Sequence, residues 1–374
     1  MSGVLITGAN GNVGARLAKE YLDHSDAPLY LLVRGNDQAH AQARLATALA
    51  FWDIDLEQQS DRITVLQGDV TAPELGLSAV TITEIKRHVS RVIHAASAIR
   101  LDLSLEQARQ MILTGTRNVF ALAQSLPNLQ RFGFCSTMEV IGDYREVVRE
   151  EWLTDYPRGF LNTYEIAKAE AEEFLRQEVE NGAPVTVFRL SMVVGEAQTG
   201  KAMEFQSFYM MLEKMLLKPD YPILPSGCPI DTIPVDVLAE AIRRLMAYPQ
   251  ANGQIYHLSQ GLADRLPFRA FIDKAKPIAE AKLGRRIRRP VYISPSIFIV
   301  FLNVLHALSF GKPKRFFRIQ LLFIKFLQLD WQFDRSNTEA TLTALGMDLP
   351  KFDTYFPQLM DYYFAERHRN RLPF

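Results

Sequence analysis

Short apolar runs separated by helix-patterned stretches dominate the first half of the chain: VLITG at 4–8, LYLLVRG at 29–35, ITVLQGD at 63–69, RVIHAA at 91–96, RFGFCST at 131–137 and VTVFRL at 185–190. Each run has about the length of a strand and is rich in β-branched or aromatic residues, which predicts an α/β fold with a doubly wound parallel sheet covered by helices on both faces. Ligands of such sheets bind at the carboxyl ends of the strands. After residue 190 the pattern loosens. Residues 191–230 are rich in Met and aromatics, DTIPVDVLAEAIRRLM restores a helical period, IYHLS at 255–259 reads as one more strand, and the last hundred residues read as helical and apolar. The layout therefore divides into a sheet domain, 1–190 with 231–260 returning to it, and a smaller, mostly helical region made of 191–230 and 261–374.

A chain of 374 residues with 48% hydrophobic and 22% charged positions belongs with folded, soluble proteins. The start MSGVLITGAN enters a strand at once, without a basic segment or apolar signal core, so a cytoplasmic protein is expected. Two cysteines, Cys135 and Cys228, are too few for a disulfide framework and lack metal-ligand spacing, so both are read as reduced thiols and no metal is expected. Forty-two basic residues balance forty-two acidic ones, but between Ala281 and Leu329 ten Lys or Arg stand with no Asp or Glu. That asymmetry points to an anionic partner for one segment, not for the whole surface. No nucleic-acid partner is expected.

TGANGNVG at 7–14 lies between the first strand and a helical pattern. Gly8, Gly11 and Gly14 supply the tight turn, the close approach of backbone to a pyrophosphate and the close helix packing that a dinucleotide fold needs. The whole turn, Thr7, Gly8, Asn10, Gly11, Asn12, Val13 and Gly14, is the candidate phosphate cradle. Where NAD enzymes place an acid for the ribose hydroxyls, at the end of the second strand, this chain has Arg34. An arginine cannot accept from a hydroxyl but suits a 2′-phosphate, so the cofactor is read as NADP(H). Arg44, ten residues on, either joins Arg34 at that phosphate or faces solvent. Asp69, ending LQGD and followed by Val70, either accepts from the adenine amino group or caps the next turn. HAAS at 94–97 ends a strand in small residues, so Ala95, Ala96 and Ser97 are placed against the cofactor, while His94 is read as a packed core residue.

STMEVIG at 136–142 ends the fifth strand, and NTYEIAKAEAE at 162–172 follows. Tyr164 and Lys168, four apart, share one face of a helix. A hydroxyl, a tyrosine and a lysine in this order, behind a TGxxGxxG turn, resemble the extended short-chain dehydrogenase/reductase superfamily. TGANGNVG, LQGD, HAAS, TGTRN, STMEVIG, YEIAK and DTIPVD carry the resemblance over roughly residues 3–260. It implies Tyr164 as proton donor to the developing alkoxide and Lys168 as the group that lowers its pKa and binds the nicotinamide ribose. Aligning Val140 and Gly142 with the family's strand-end pattern makes Thr137 the second hydroxyl on the carbonyl oxygen, with Ser136 a neighbour or substitute. One departure stands out: where the family often has an asparagine, four residues before Thr116, this chain has Ile112. Within the superfamily, LLVRGNDQAHAQARL, NTYEIAKAEAE and VFRLSMVVGEAQTG resemble fatty acyl-CoA and carrier-protein thioester reductases, with Ala167 and Leu190 departing from the usual serine and proline.

That resemblance implies NADPH-dependent reduction of a lipid-like acyl thioester, carried by CoA or an acyl-carrier protein, either to the aldehyde alone or onward to the alcohol. A dehydrogenase of a sterol or long-chain 3-oxo substrate is the second reading. Nucleotide-sugar epimerases fit less well because of Arg34. A non-catalytic NADP sensor or scaffold would predict a broken catalytic set, and the set here is intact. The apolar run IFIVFLNVLHAL at 297–308 is too short to span a bilayer, which needs about 20 residues. With RRIRRP before it and KPKRFFR and IQLLFIKFLQL after it, the segment 285–329 reads as a core helix hairpin, an interfacial membrane element or a lid over an acyl chain.

Overall fold

The structure is a computed structural model, and it describes residues 2–97, 103–154, 156–217, 223–225, 229–264, 266–288, 291–311, 313, 314, 317, 321 and 331–368. Cys228, most of the basic run KPKRFFR and the run at 319–329 fall outside the described residues, apart from Pro313, Lys314, Phe317 and Leu321.

Seven strands form the central sheet: β1 (Gly3–Thr7), β2 (Leu29–Val33), β3 (Ile63–Gln67), β4 (Val89–His94), β5 (Arg131–Thr137), β6 (Val185–Leu190) and β7 (Ile255–Leu258). Their spatial order is β7-β6-β5-β4-β1-β2-β3, and every neighbouring pair runs parallel. All seven apolar runs read from sequence occupy this sheet. The chain winds outward from β1 to β3, then crosses back to β4 on β1's other side. The order thus reverses between β1 and β4, and there a doubly wound sheet opens its crevice.

Alternation along each strand feeds two cores. Val4 and Ile6 join Ile93, Cys135 and Phe188 beneath the helices Asn12–His24 and Val235–Ala247. Leu5 joins Val92, Phe132 and Phe134 on the opposite face, against Gly115–Gln124 and Thr163–Glu180. A separate apolar cluster gathers Phe208, Tyr209, Phe271, Phe298, Leu302, Phe356 and Tyr363 from the helices Phe208–Leu212, Phe268–Leu283, Pro295–Leu308 and Phe352–Glu366. Residues 331–349, grouped by sequence with this helical region, return to the sheet domain instead. Gln332–Phe333 pairs in parallel with Val147–Val148, and Leu342 and Met347 pack into the core under Val235–Ala247.

Candidate active site

The turn after β1 is built around backbone contacts that only glycine permits. Gly8 has φ +69°, and a Cβ there would lie 2.7 Å from the Ala96 Cα. A Cβ on Gly14 would lie 2.2 Å from the Gly8 carbonyl oxygen, so the first turn of Asn12–His24 can seat only on a bare backbone. Gly11 precedes that helix with no side chain capping the amides. Its own Cβ would meet nothing nearer than the Gly8 oxygen at 3.3 Å, which leaves the helix start open to an approaching anion. Thr7 and Ala96 close the floor: the Thr7 hydroxyl accepts from the Ala96 amide at 3.3 Å and shares a 2.7 Å hydrogen bond with His94 Nδ1. Asn10 and Val13 are half-buried in the same turn, as are Ala95 and Ala96 across from it, while Ser97 is exposed. His94 itself is buried and stacks on Phe134, and desolvation, reinforced by Lys168, pushes its pKa down to about 3. It is a neutral core imidazole.

At the far end of the crevice Arg34 is exposed just past β2, and the Arg44 guanidinium donates to the Arg34 carbonyl oxygen. The two arginines therefore occupy one small patch. Asp69 spends one carboxylate oxygen on the Thr71 amide and hydroxyl, both at 2.9 Å, so it does cap the next turn. Val70, beside it, contacts the position where a Gly115 side chain would begin. Among the buried polar side-chain atoms that have no partner within the described residues, two lie near the crevice: Asn12 Oδ1, in the first turn of its helix, and Ser191 Oγ, immediately beyond β6. Unpaired buried polar atoms are costly. Their position at the carboxyl edge of the sheet, with the bare glycine turn and the arginine patch, fits a phosphate-bearing dinucleotide.

The helix Thr163–Glu180 carries the tyrosine and lysine, and its start is fixed locally. Asn162 accepts from the Glu165 amide at 3.0 Å, while the Glu165 carboxylate takes the Leu161 amide at 2.7 Å and the Asn162 side-chain amide at 2.8 Å. This start brings Tyr164, Ala167, Lys168, Ala171 and Leu175 onto the buried face. The small alanines let the helix lie close to β5, and the Lys168 ammonium donates to the Cys135 carbonyl at 2.8 Å while sitting 4.6 Å above the Phe134 ring. Burial lowers the Lys168 pKa to about 8, against opposing pulls from Cys135 and Glu172. The Tyr164 phenol lies beside the Thr137 and Ser97 hydroxyls. Its pKa is driven up mainly by desolvation and then by the Glu139 carboxyl, so the phenol keeps its proton at neutral pH. Thr137, Tyr164, Lys168 and Ser97 thus come together at the ends of β4 and β5.

Ser136 does not join them. Adjacent strand residues point to opposite sides, and the Ser136 hydroxyl donates to Glu172 at 2.5 Å inside a closed ionic cluster. There the fully buried Arg189 holds Glu172 at 2.7 Å, the Glu151 carbonyl at 3.1 Å and His257 Nε2 at 3.2 Å. Thr137 is therefore the strand-end hydroxyl at the phenol. The Ile112 departure falls in a single π-helical turn, Gln110–Thr114, where the Thr116 hydroxyl returns to the Ile112 carbonyl at 2.7 Å. Such turns recur at functional sites. Two further carboxyls at the site were not read from sequence. Desolvation raises Glu139, two residues past Thr137, to about 7, and raises Glu165 to about 8 with Glu139 and Asp143 adding to it. The N-x-x-E spacing of Asn162 and Glu165 was a readable signal for the second.

A profile of the NAD-binding family described as male sterility protein matches residues 6–242, well over half of the chain. The chain belongs to the male sterility protein family. Relatives of the chain include the isonitrile lipopeptide synthase of Streptomyces coeruleorubidus, 31% identical over 254 residues, a match that covers 65% of this chain and 16% of that protein. The fatty acyl-CoA reductase wat of Drosophila melanogaster is 27% identical over 222 residues, covering 51% of this chain and 43% of that one. The chain thus spans less than half the length of these curated relatives. Among solved structures, the terminal R domain of the myxalamid PKS-NRPS biosynthetic pathway superposes with a TM-score of 0.80 at 23% identity, covering 100% of this chain and 93% of the other. The fold is that of the extended short-chain dehydrogenase/reductases, and the matching family is one of NAD-binding proteins. Among the described residues, no helix is long and apolar enough to cross a membrane.

Proposed function

We propose that this chain reduces an acyl thioester, presented on an acyl-carrier protein or CoA, to the aldehyde with NADPH. The observation that carries this reading is the convergence of Thr137, Tyr164 and Lys168 at the carboxyl edge of a sheet whose glycine turn and Arg34–Arg44 patch suit NADP. Likeness to reductases that act on fatty acyl-CoA supports the substrate class. The R-domain likeness supports the fold and the site's placement.

The turn Thr7–Gly14 would hold the pyrophosphate, Arg34 and Arg44 the 2′-phosphate, Asp69 and Val70 the adenine side, and Ala95, Ala96, Ser97 and Lys168 the nicotinamide half. Bound there, the reduced nicotinamide supplies a hydride. Charge then grows on the thioester oxygen, where the Thr137 hydroxyl and the protonated Tyr164 phenol donate hydrogen bonds, stabilising it more in the transition state than in the ground state. The tetrahedral oxyanion re-forms its carbonyl by breaking the C–S bond. The thiolate takes up one proton, and aldehyde and free thiol leave. The buried ammonium of Lys168 beneath the phenol favours proton transfer from Tyr164 whenever the oxyanion is protonated instead. With Cys135 a buried free thiol, a reducing compartment such as the cytoplasm suits the protein.

The test is absorbance at 340 nm with NADPH and a panel of medium- to long-chain acyl-CoAs and acyl-carrier proteins, together with a thiol assay. Cofactor consumption matched by thiol release supports the reading. Turnover of long-chain 3-oxo or sterol substrates alone would replace it with a carbonyl dehydrogenase.

A further inference from the structure

The helix Pro295–Leu308 has two apolar faces, and only one is used by the fold. Phe298 and Leu302 point into the second apolar core at 3% and 1% exposure. Ile297, Val300, Phe301, Val304 and Leu308 lie at spacings of three, four, seven and eleven from the first. At 100° per residue they line an arc about 100° wide. All five are exposed, and Phe310, just beyond the helix, continues them; exposure runs from 50% at Phe301 to 82% at Phe310. Isolated exposed apolar residues are ordinary, but five aligned on one helix with a sixth just beyond it mark an interaction surface.

Charge selects the occupant. Arg285, Arg286 and Arg288 are exposed ahead of the helix and Lys314 is exposed after it, while from residue 281 to 329 the sequence has no acidic residue. Along the chain, exposed positive charge therefore flanks the apolar stripe on both sides. The helix is 14 residues long, too short to cross a bilayer. We propose that this face is an interfacial membrane-docking surface for anionic lipid, lying in the plane of the headgroups with the stripe from Ile297 to Phe310 buried and the flanking arginines and lysine over lipid phosphates. Apolar burial supplies the attachment, and each cation near an anionic surface adds about 1 kcal/mol, screened by salt. This inference is independent of the reductase reading, because the stripe lies on the outer face of the helical region.

The test is flotation of the full chain with phosphatidylcholine vesicles, with and without phosphatidylserine, at about 0.1 M and about 1 M salt, between which the Debye length falls from about 10 to about 3 Å. The expected result is co-flotation with phosphatidylserine vesicles at low salt. At least about tenfold less should float on phosphatidylcholine alone or at high salt, as the loss of one or two such contacts implies. Val300→Asp with Val304→Asp, and separately Arg286→Glu with Arg288→Glu, should abolish flotation. Both pairs are exposed, so the melting temperature and reduction of a water-soluble thioester should stay at the wild-type level. Failure of the wild-type chain to float on anionic vesicles overturns the proposal, as does equal flotation on neutral ones. So does a concentration-dependent dimer in light scattering, abolished by the valine variants in the absence of vesicle binding, which would make the stripe a self-association face.

Discussion

Glu172→Gln isolates a fully buried guanidinium, that of Arg189, which rests on a single carboxylate. Arg189 is 0% exposed, and Glu172 receives its Nε and Nη2 as well as the Ser136 hydroxyl. The glutamine keeps the shape and one acceptor oxygen but leaves a net positive charge in the interior. Removing one partner of a buried pair costs about 3–5 kcal/mol, because the remaining charge has no water to return to. An unfolding entropy of about 2.1 cal/mol/K per residue over 374 residues gives about 0.8 kcal/mol/K, so the melting temperature should fall by about 4–6 °C if the chain melts as one unit. Urea titration should show a lower midpoint with an unchanged slope. The companion variant, Glu172→Leu with Arg189→Met, replaces both charges with apolar groups and should recover most of the loss. A shift below about 1 °C for Glu172→Gln, or a double variant worse than the single, would refute the claim that Glu172 neutralises Arg189.

Other outcomes follow from the site. Arg34→Ala should raise KM for NADPH about five- to tenfold and leave NADH unchanged, since one exposed charge-assisted hydrogen bond is worth about 1 kcal/mol; an equal effect on both cofactors would move Arg34 off the 2′-phosphate. Gly14→Ala drives a Cβ against the Gly8 oxygen and should abolish NADPH binding measured by fluorescence, whether or not the chain stays soluble. Glu139 carries a pH signature: its carboxyl is raised from 4.5 to about 7 by desolvation, so the folded state prefers the protonated form. The stability it contributes is full below about pH 4.5 and is lost as pH rises towards 7, up to about 3 kcal/mol. Glu139→Gln should therefore raise the melting temperature of the cofactor-free protein at pH 8 relative to wild type and leave it near wild type at pH 4.5; identical shifts at both pH values would show that the carboxyl is not desolvated.

The parts of this account that sequence made legible share a physical reason. Strands covered on both faces are apolar along their length, so VLITG, LYLLV and VTVFRL announce themselves, and Gly8 and Gly14 are fixed by backbone clearances, since an added Cβ would lie 2.7 Å and 2.2 Å from the nearest backbone atom. Tyr164 and Lys168 were readable because helical spacing alone aligns them. Illegible features depend on packing at a distance. Two adjacent hydroxyls, Ser136 and Thr137, end the same strand, and nothing local says which one turns toward Glu172. The pairing of Gln332–Phe333 with Val147–Val148 involves two residues on each side, too few for any periodicity. Glu139 and Glu165 look like ordinary surface acids until the fold half-buries the first and fully buries the second. Arg189 sat inside a strand pattern with its partner one turn beyond Lys168, on the same helix face, and that spacing was available to be read.

In the proposed reaction Tyr164 donates to the oxygen of an acyl thioester reduced by NADPH. Single-turnover reduction of a long-chain acyl-carrier protein, comparing wild type with Tyr164→Phe at saturating NADPH, tests it most directly. The account predicts aldehyde and free thiol in equal amounts from wild type, and a rate at least about a hundredfold lower in the variant with NADPH affinity unchanged. Wild-type rates in Tyr164→Phe, or NADPH oxidation without thiol release, would contradict it.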